Sequence, residues 1–547
     1  MQDIKVAAFG SLTLLLTACG GGTSSPAPQS MASAPTSQPV SSVKLSGQIT
    51  YDRVPHTTSS GLDYANTVKS PARGVIVEAV SAAGSVLETT SSDINGNYSF
   101  TLEPNTDIRI RTKAQIFSNA SVSWDFKVTD NTQSNQLYVL QGSLASTGSA
   151  AQQSRNLHAP HGWSSQGYDD VRAAAPFAII DTIYSAVAAF TAIDSDIKFP
   201  PLELRWSANN RTVTGSKSLG EIGTSAYSTA EDSAAIYILG EENRDTDEFD
   251  QHVILHEWGH YFEDNLSRKD SIGGLHSLQD RLDARVAFSE GWSNALSAII
   301  TKDPIYRDSS GENQNSGFSF NLETKTVKIP GWFNEATIST VIYDIYDGTP
   351  DGADTISSGL APIYNVMRSD AFKEASVFST IFAFTDGLRR EPSLDLTALN
   401  RLLEAQKISG EGPNGQGENN SGAIRSALPV YKEVSFNGPA VQLCSVDDAG
   451  TFNKLGNREF IFLSLPNDAD VTIKAEKISG NDDRDPDFKI WQGNTLLSES
   501  TSSKKGEEVY SNRLSGGEYI IEAFDFFNIN GTGSKRGDGC FNLSVAG

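Results

Sequence analysis

Cysteine, methionine and histidine are all scarce in this chain, at three, three and seven residues in 547. So few cysteines exclude a disulfide-rich scaffold, and the fold must rest on apolar burial. Positive charge is also in short supply. Lys and Arg number 43 against 67 Asp and Glu, a formal charge of −24. A surface that acidic repels phosphate backbones, and no local Lys/Arg cluster offers an exception, so no nucleic acid is expected as a partner. No internal repeat of fixed period is present. The apolar run near the N-terminus, Val6 to Thr17, is too short to span a bilayer. What remains is a soluble, turn-rich globular chain, 38% hydrophobic with 46 glycines. It is long enough for two to four domains.

That N-terminal run ends in "LTAC", Leu16 to Cys19. It resembles a bacterial lipoprotein signal, although Lys5 is offset by Asp3. The resemblance implies a signal over residues 1–19, cleavage before Cys19, and lipidation of that cysteine. An ordinary secretory signal with a chance cysteine is the competing reading. Gly20, rather than Asp, follows, which in such lipoproteins implies sorting to the outer membrane, on its periplasmic or extracellular face. Residues 20–42 are a Gly/Ser/Pro tether that cannot build a core. Export leaves Cys444 and Cys540 in an oxidising compartment. A disulfide between them is expected to stabilise the last segment by roughly 2–4 kcal/mol.

From Val43 to about 145, runs such as "KLSGQITY", "GVIVEAV" and "DIRIRTK" alternate apolar and polar residues, as strands do. The pattern resembles the carboxypeptidase-regulatory-type β-sandwich. A Ser/Ala/Gln-rich patch, Gly142 to Ser154, marks a boundary. Residues 155–432 change character, with apolar residues at helical spacing in "AAAPFAIIDTIYSAVAAFTAI", "SEGWSNALSAII" and "TISTVIYDIYD". Strands return over 436–547, where "REFIFLSL" and "GEYIIEAFDFF" resemble the pre-peptidase C-terminal β-sandwich. The acidic stretch Asn481 to Asp487 is a candidate Ca2+ loop, with a solvated turn as the plainer reading.

The stretch "DQHVILHEWGHYFED", Asp250 to Asp264, holds three of the seven histidines. On a helix His256 and His260 project from one face and can share one zinc ion. Glu257, one step round, is badly placed as a ligand but well placed to touch a water there. Gly259 is the oddity, since glycine inside a helix costs about 1 kcal/mol relative to alanine. Something must pack closely against it. Buried, hydrogen-bonded core histidines are the alternative. Downstream, Glu290 opens an otherwise apolar helix with no cationic neighbour, and a buried carboxylate needs a partner.

HExxH followed by a glutamate in an "EGW" helix resembles the gluzincin metallopeptidases, especially the fungalysin-like branch. Carried over, the resemblance makes His256, His260 and Glu290 the ligands of one catalytic zinc and Glu257 the general base and acid. Where the family often has an aspartate orienting a zinc-bound histidine, this chain has Asn294, a weaker acceptor. The resemblance also casts the strand around Ala234, Ala235 and Ile236 as the one that pairs with an extended substrate; a buried central strand is the other reading. Tyr343 and Tyr346 are the candidates for stabilising the oxyanion. His276, in the loop between the two helices, is a lesser candidate, and Asp280 and Asp283 read as solvated charges. Position 266 is Leu, which excludes the three-histidine metzincin pattern. The only methionines, Met1, Met31 and Met367, disfavour the Gly/Met acidic motif of aminopeptidases. The expectation is a multidomain protein: a central helix-rich α+β metallopeptidase domain between two all-β sandwiches. It would cleave proteins or peptides and be tied to the membrane by an N-terminal lipid anchor. A non-catalytic cell-surface binding or adhesion module with a structural or inactive zinc site is the alternative.

Overall fold

The computed structural model describes residues 41–230, 234–324, 327–349, 355–530 and 535–547. Cys19, the signal and nearly all of the tether lie outside the described residues.

The alternating runs do form strands, but they do not close into a separate domain. The strands Val75–Ser81, Asp107–Asn119 and Ser123–Asp130 belong to one large sheet. That sheet continues through Leu202–Trp206 and Ala235–Ile238 to Ala226–Ser228. The join is parallel, with Leu202 opposite Phe126 and Leu204 opposite Val128. The boundary expected at 145–155 is stitched over as well. The first strand, Val43–Arg53, pairs in parallel with Gln152–Ser154 and Leu157–Ala159. The separate sandwich over 43–145 is therefore corrected: its strands are divided between the large sheet and a five-stranded sheet built on Val43–Arg53, and both sheets take in strands from beyond residue 145. Pattern alone could not reveal this, because a strand's alternation records which face is buried, not which strand lies beside it.

Two helices, α1 (Ala174–Thr191) and α2 (Gln251–Leu266), pack on the large sheet, and α3 (Ala284–Thr301) and α4 (Glu335–Tyr346) stack outward from α2 in turn. The first helix is tied to the strands by a buried clamp, in which Asp181 accepts from Arg73 at 2.7 Å and from the Tyr51 hydroxyl at 2.9 Å. Phe190 of α1 stacks on Phe262 of α2 at 4.9 Å between ring centroids. Two glycines set the remaining spacings. A Cβ on Gly259 of α2 would lie 2.7 Å from Ser293 Oγ and 2.9 Å from its Cα. A Cβ on Gly291 of α3 would lie 2.6 Å from Ile338 of α4. Their absent side chains bring α2, α3 and α4 into direct backbone contact, which accounts for the helix-interior glycine.

The C-terminal part is a two-sheet sandwich beginning at Tyr431. One sheet has five strands and the other four, around a core that includes Leu443, Ile461, Phe488 and Leu543. Cys444 and Cys540 sit opposite each other on neighbouring strands and are joined by a disulfide. The sandwich is seated firmly on the helices. Arg285, in the first turn of α3 and 1% exposed, lies 2.9 Å from Asp283 and 2.9 Å from Glu522 of the sandwich. Arg458 and the Trp491 indole N–H also reach Glu522, at 2.9 and 3.0 Å.

Burial pushes the Glu522 carboxyl up, but Arg285 and Arg458 outweigh it and hold the pKa at about 2. A folded pKa below the ordinary value means a stability contribution that is complete above about pH 5 and drains as the pH falls toward 2. Glu522→Gln leaves two buried guanidiniums without their shared anion. It is expected to cost about 3–5 kcal/mol, read as a lower midpoint in urea at pH 7, with a smaller deficit in strong acid.

Candidate metal centre

The helix α2 buries Val253, Ile254, Trp258, Tyr261 and Phe262 and turns His256 and His260 toward α3. The two Nε2 atoms lie 3.2 Å apart. Glu290 Oε2, from α3, is 3.2 Å from His256 Nε2 and 3.4 Å from His260 Nε2. The partners on the far side of each ring settle the protons. His256 Nδ1 is 2.9 Å from Asn294 Oδ1, an acceptor, so it carries the hydrogen. His260 Nδ1 faces Ser289 Oγ and Ser293 Oγ at 3.2 Å each. Ser289 donates its own proton to Glu263, and its oxygen is left to accept from the ring. Both Nε2 atoms therefore present lone pairs to one small space. Glu290 Oε2 presents a third, buried and without a hydrogen bond. Three electron-rich atoms facing one another call for a cation, and two imidazoles with one carboxylate are a donor set that suits zinc. Metal-free, the same crowding favours a proton: burial lowers the His260 pKa, but Glu290 and Glu263 outweigh it and raise it to about 10.

Not every histidine of α2 joins. His252, one turn earlier, is buried against Ser297 Oγ at 3.1 Å, and burial lowers its pKa to about 3. It is a core histidine of the kind the sequence left open for the other two.

His276 is more central than the sequence suggests. Its Nε2 lies 3.4 Å from the same Glu290 oxygen, and its Nδ1 lies 2.6 Å from Glu335 Oε2 in the first turn of α4. Burial disfavours its charged form, yet the hydrogen bond to Glu335 and the charge of Glu290 raise its pKa to about 9. The loop that carries it is held by the C-terminal sandwich. Asn453 donates to Gly273 O at 2.9 Å, Lys454 Nζ to Leu275 O at 2.6 Å, and the Leu455 N–H to Arg281 O at 2.9 Å. Nothing in the sequence links residue 276 to a glutamate 59 positions away; the one available cue is a histidine in a glycine-flanked loop of a histidine-poor chain.

Glu257 stands beside the metal-ligand cluster, and one of its oxygens, Oε2, accepts from the Tyr227 backbone N–H at 2.7 Å. This contact corrects the expected substrate strand. Ala235 and Ile236 are buried and paired on both sides, with Leu202–Trp206 in parallel and Ala226–Ser228 antiparallel, so no backbone edge is left there for a peptide. Ala234 directly precedes that strand. The free edge belongs to Ala226–Ser228, whose Tyr227 N–H faces Glu257. Tyr343 and Tyr346 are corrected too. Only the first turn of α4 meets the cluster, and Tyr343 lies about 12 Å further along the helix axis. Tyr343 is a core residue whose ring lies 5.9 Å from that of Tyr346 and tilted 50° to it, and the carboxylates that act on it are Glu323, Asp347 and Asp303. Asp283, read as a solvated charge, is buried, caps α3 through the Arg285 N–H and pairs with its side chain. Asp280 reaches Lys454 at 3.5 Å.

Two histidines and a glutamate converging from adjacent helices, with a further carboxylate beside them, form a group that could hold one metal ion. Residues 204–399 match the family model described as the Mycolysin C-terminal domain, which supports a peptidase-related family and spans all of these residues. Among solved structures, the pre-peptidase C-terminal domain of a collagenase from Bacillus anthracis aligns at 10% identity. It covers 21% of this chain and 93% of that one, with a TM-score of 0.16. The periplasmic g-type lysozyme inhibitor PliG of Aeromonas hydrophila aligns at 13% identity over 21% and 98%, with a TM-score of 0.13. A β-glucosidase from Paenibacillus barengoltzii aligns at 8% identity over 85% and 65%, with a TM-score of 0.12. At such scores these likenesses carry no argument. No curated protein matches the chain.

Asn294 fixes the His256 ring through a neutral oxygen. Asn294→Ala is expected to weaken zinc affinity about 10–100-fold, and Asn294→Asp to strengthen it. Competition against a fluorescent zinc chelator measures both.

Proposed function

We propose that this chain is a zinc-dependent endopeptidase whose ligands are His256, His260 and Glu290. The observation that carries the reading is the convergence of two imidazole lone pairs and an unpartnered carboxylate oxygen, at 3.2–3.4 Å, beside a glutamate that is not one of them. When bound, zinc would supply Lewis acidity to a water and to the scissile carbonyl. The chain's own residues do the rest. Glu257 is held at Oε2 by the Tyr227 N–H; its Oε1 takes the proton from the attacking water and passes it to the leaving amine nitrogen. His276, oriented at Nδ1 by Glu335, directs Nε2 at the developing oxyanion. In this it takes the part first sought in Tyr343 and Tyr346. An extended peptide would add to the free edge of Ala226–Ser228 as a further strand, its backbone held beside Glu257.

The anchored location belongs to the same proposal. Lipidation at Cys19 would tether the enzyme to the outer membrane through a flexible linker and leave protein substrates as its partners. Cys19→Ser should then move the protein from the membrane fraction to the soluble one.

The test of catalysis is casein or quenched-peptide hydrolysis by zinc-loaded protein. The wild type should hold one zinc and cleave. Glu257→Gln should hold the same zinc and lose about 10²–10⁴ in kcat. If both hold zinc and neither cleaves, the non-catalytic surface module replaces this reading. His276→Ala should keep its zinc and lose about 10²–10³ in kcat; loss of zinc instead would make His276 a ligand.

A further inference from the structure

A second group of carboxylates lies on the far side of the α2 N-terminus, separate from the residues above. Asp245, Asp247 and Asp308 each bring an oxygen within 4.8 Å of the others. The run "DTDE", Asp245 to Glu248, shows why this is unusual. Thr246 and Glu248 are served by a buried guanidinium: Arg172 reaches both, with Nε 3.0 Å from Glu248. Asp245 and Asp247, alternating with them, meet no cationic side chain among the described residues. The charges that act on these two and on Asp308 are other carboxylates, chiefly one another and Asp250.

Asp250 is not an open donor, because His56, the Ser309 N–H and the Ser309 hydroxyl engage both its oxygens. Asp247 is the decisive residue. It is 2% exposed; one oxygen accepts from Ser225, and the other, Oδ1, is buried with no hydrogen-bond partner. Asp245 Oδ1 is buried without a donor in the same way, and the carboxyls of Asp245 and Asp247 lie within hydrogen-bonding reach of each other, a contact that two ionised carboxylates cannot make without a shared proton or a cation. Orphaned buried oxygens aimed into a three-carboxylate cluster have two remedies, protons or a metal ion.

We infer that Asp245, Asp247 and Asp308 bind a hard divalent cation of the calcium class. The donor set is oxygen alone, with no nitrogen or sulfur to select zinc. Burial first, and the neighbouring carboxylates Asp250 and Asp245 after it, push the Asp308 pKa up to about 8, so without a cation Asp308 holds a proton near neutral pH. The ion ties the short strand Asp245–Thr246 to the strand Ile305–Ser310, just before α2 begins. It thus pins the start of the helix that carries His256 and Glu257, while touching none of the zinc ligands.

The inference stands whether or not the chain cleaves peptides, and its test uses the zinc-loaded full chain without an activity readout. Calcium added to chelator-washed, zinc-reloaded protein should bind at one saturable site by calorimetry and raise the melting temperature by about 5 °C or more. Asp308→Asn and Asp247→Asn, both isosteric, should abolish the calcium-dependent rise while keeping the zinc. Asp483→Asn, in the C-terminal acidic stretch, should keep the rise. Terbium, as a calcium probe, should show tyrosine-sensitised emission, and Tyr306→Phe should dim it, since Tyr306 and Asp308 project from one face of their strand. The terbium arm needs no variant at the cluster and decides the matter if the Asp variants do not fold. Absence of saturable calcium binding, an undiminished rise in both cluster variants, or emission indifferent to Tyr306 would each overturn the assignment.

Discussion

Everything in the central region depends on a convergence that the fold does not let relax. Two imidazole Nε2 atoms and a carboxylate oxygen are held 3.2–3.4 Å apart, where free peptides would let them separate, and with no metal the cluster takes up a proton at His260. What stops them is on the opposite side of each group. Asn294 grips one ring, and Ser289, Ser293 and Glu263 surround the second. The backbones of α2 and α3 are pressed together at Gly259, where even a methyl group would meet Ser293 at 2.7 Å. The cluster is preorganised because rotating any of its side chains away would break a buried hydrogen bond or open a gap between helices.

The same economy extends outward. Gly291 follows Glu290 directly and brings α4 against α3, which delivers Glu335 to His276. Each of the two helix-interior glycines therefore adjoins a ligand. Their cost in helix propensity is about 1 kcal/mol each, offset by the packing of Trp258, Trp292 and Phe262 around the contact.

The convergence of His256, His260 and Glu290, with Asn294 behind His256, was legible in the sequence because each lies on a helix at a spacing that fixes direction: four residues from His256 to His260, and four from Glu290 to Asn294. His276 was nearly illegible for the converse reason. A loop residue has no periodicity, and its position is imposed by residues 453–455, far away in the chain. The substrate edge was misread for another reason. "AAIYILG" is the more strand-like run, and that is why it is central; the edge falls to the short, polar "AYS" of Ala226–Ser228. Tyr343 and Tyr346 looked available only because helical spacing does not tell a core face from a cleft face. The domain boundary failed because composition marks flexible chain, and here the marked patch runs alongside the first strand as its parallel neighbour.

The grip of the C-terminal sandwich on the loop bearing His276 bears on the order in which the molecule is completed. The ligands at 256, 260 and 290 are all made well before Asn453 and Lys454. A growing chain can thus bring His256, His260 and Glu290 together while the loop bearing His276 still lacks its brace. The segment around Asn453 and Lys454 acts as a latch on that loop, applied from far along the chain.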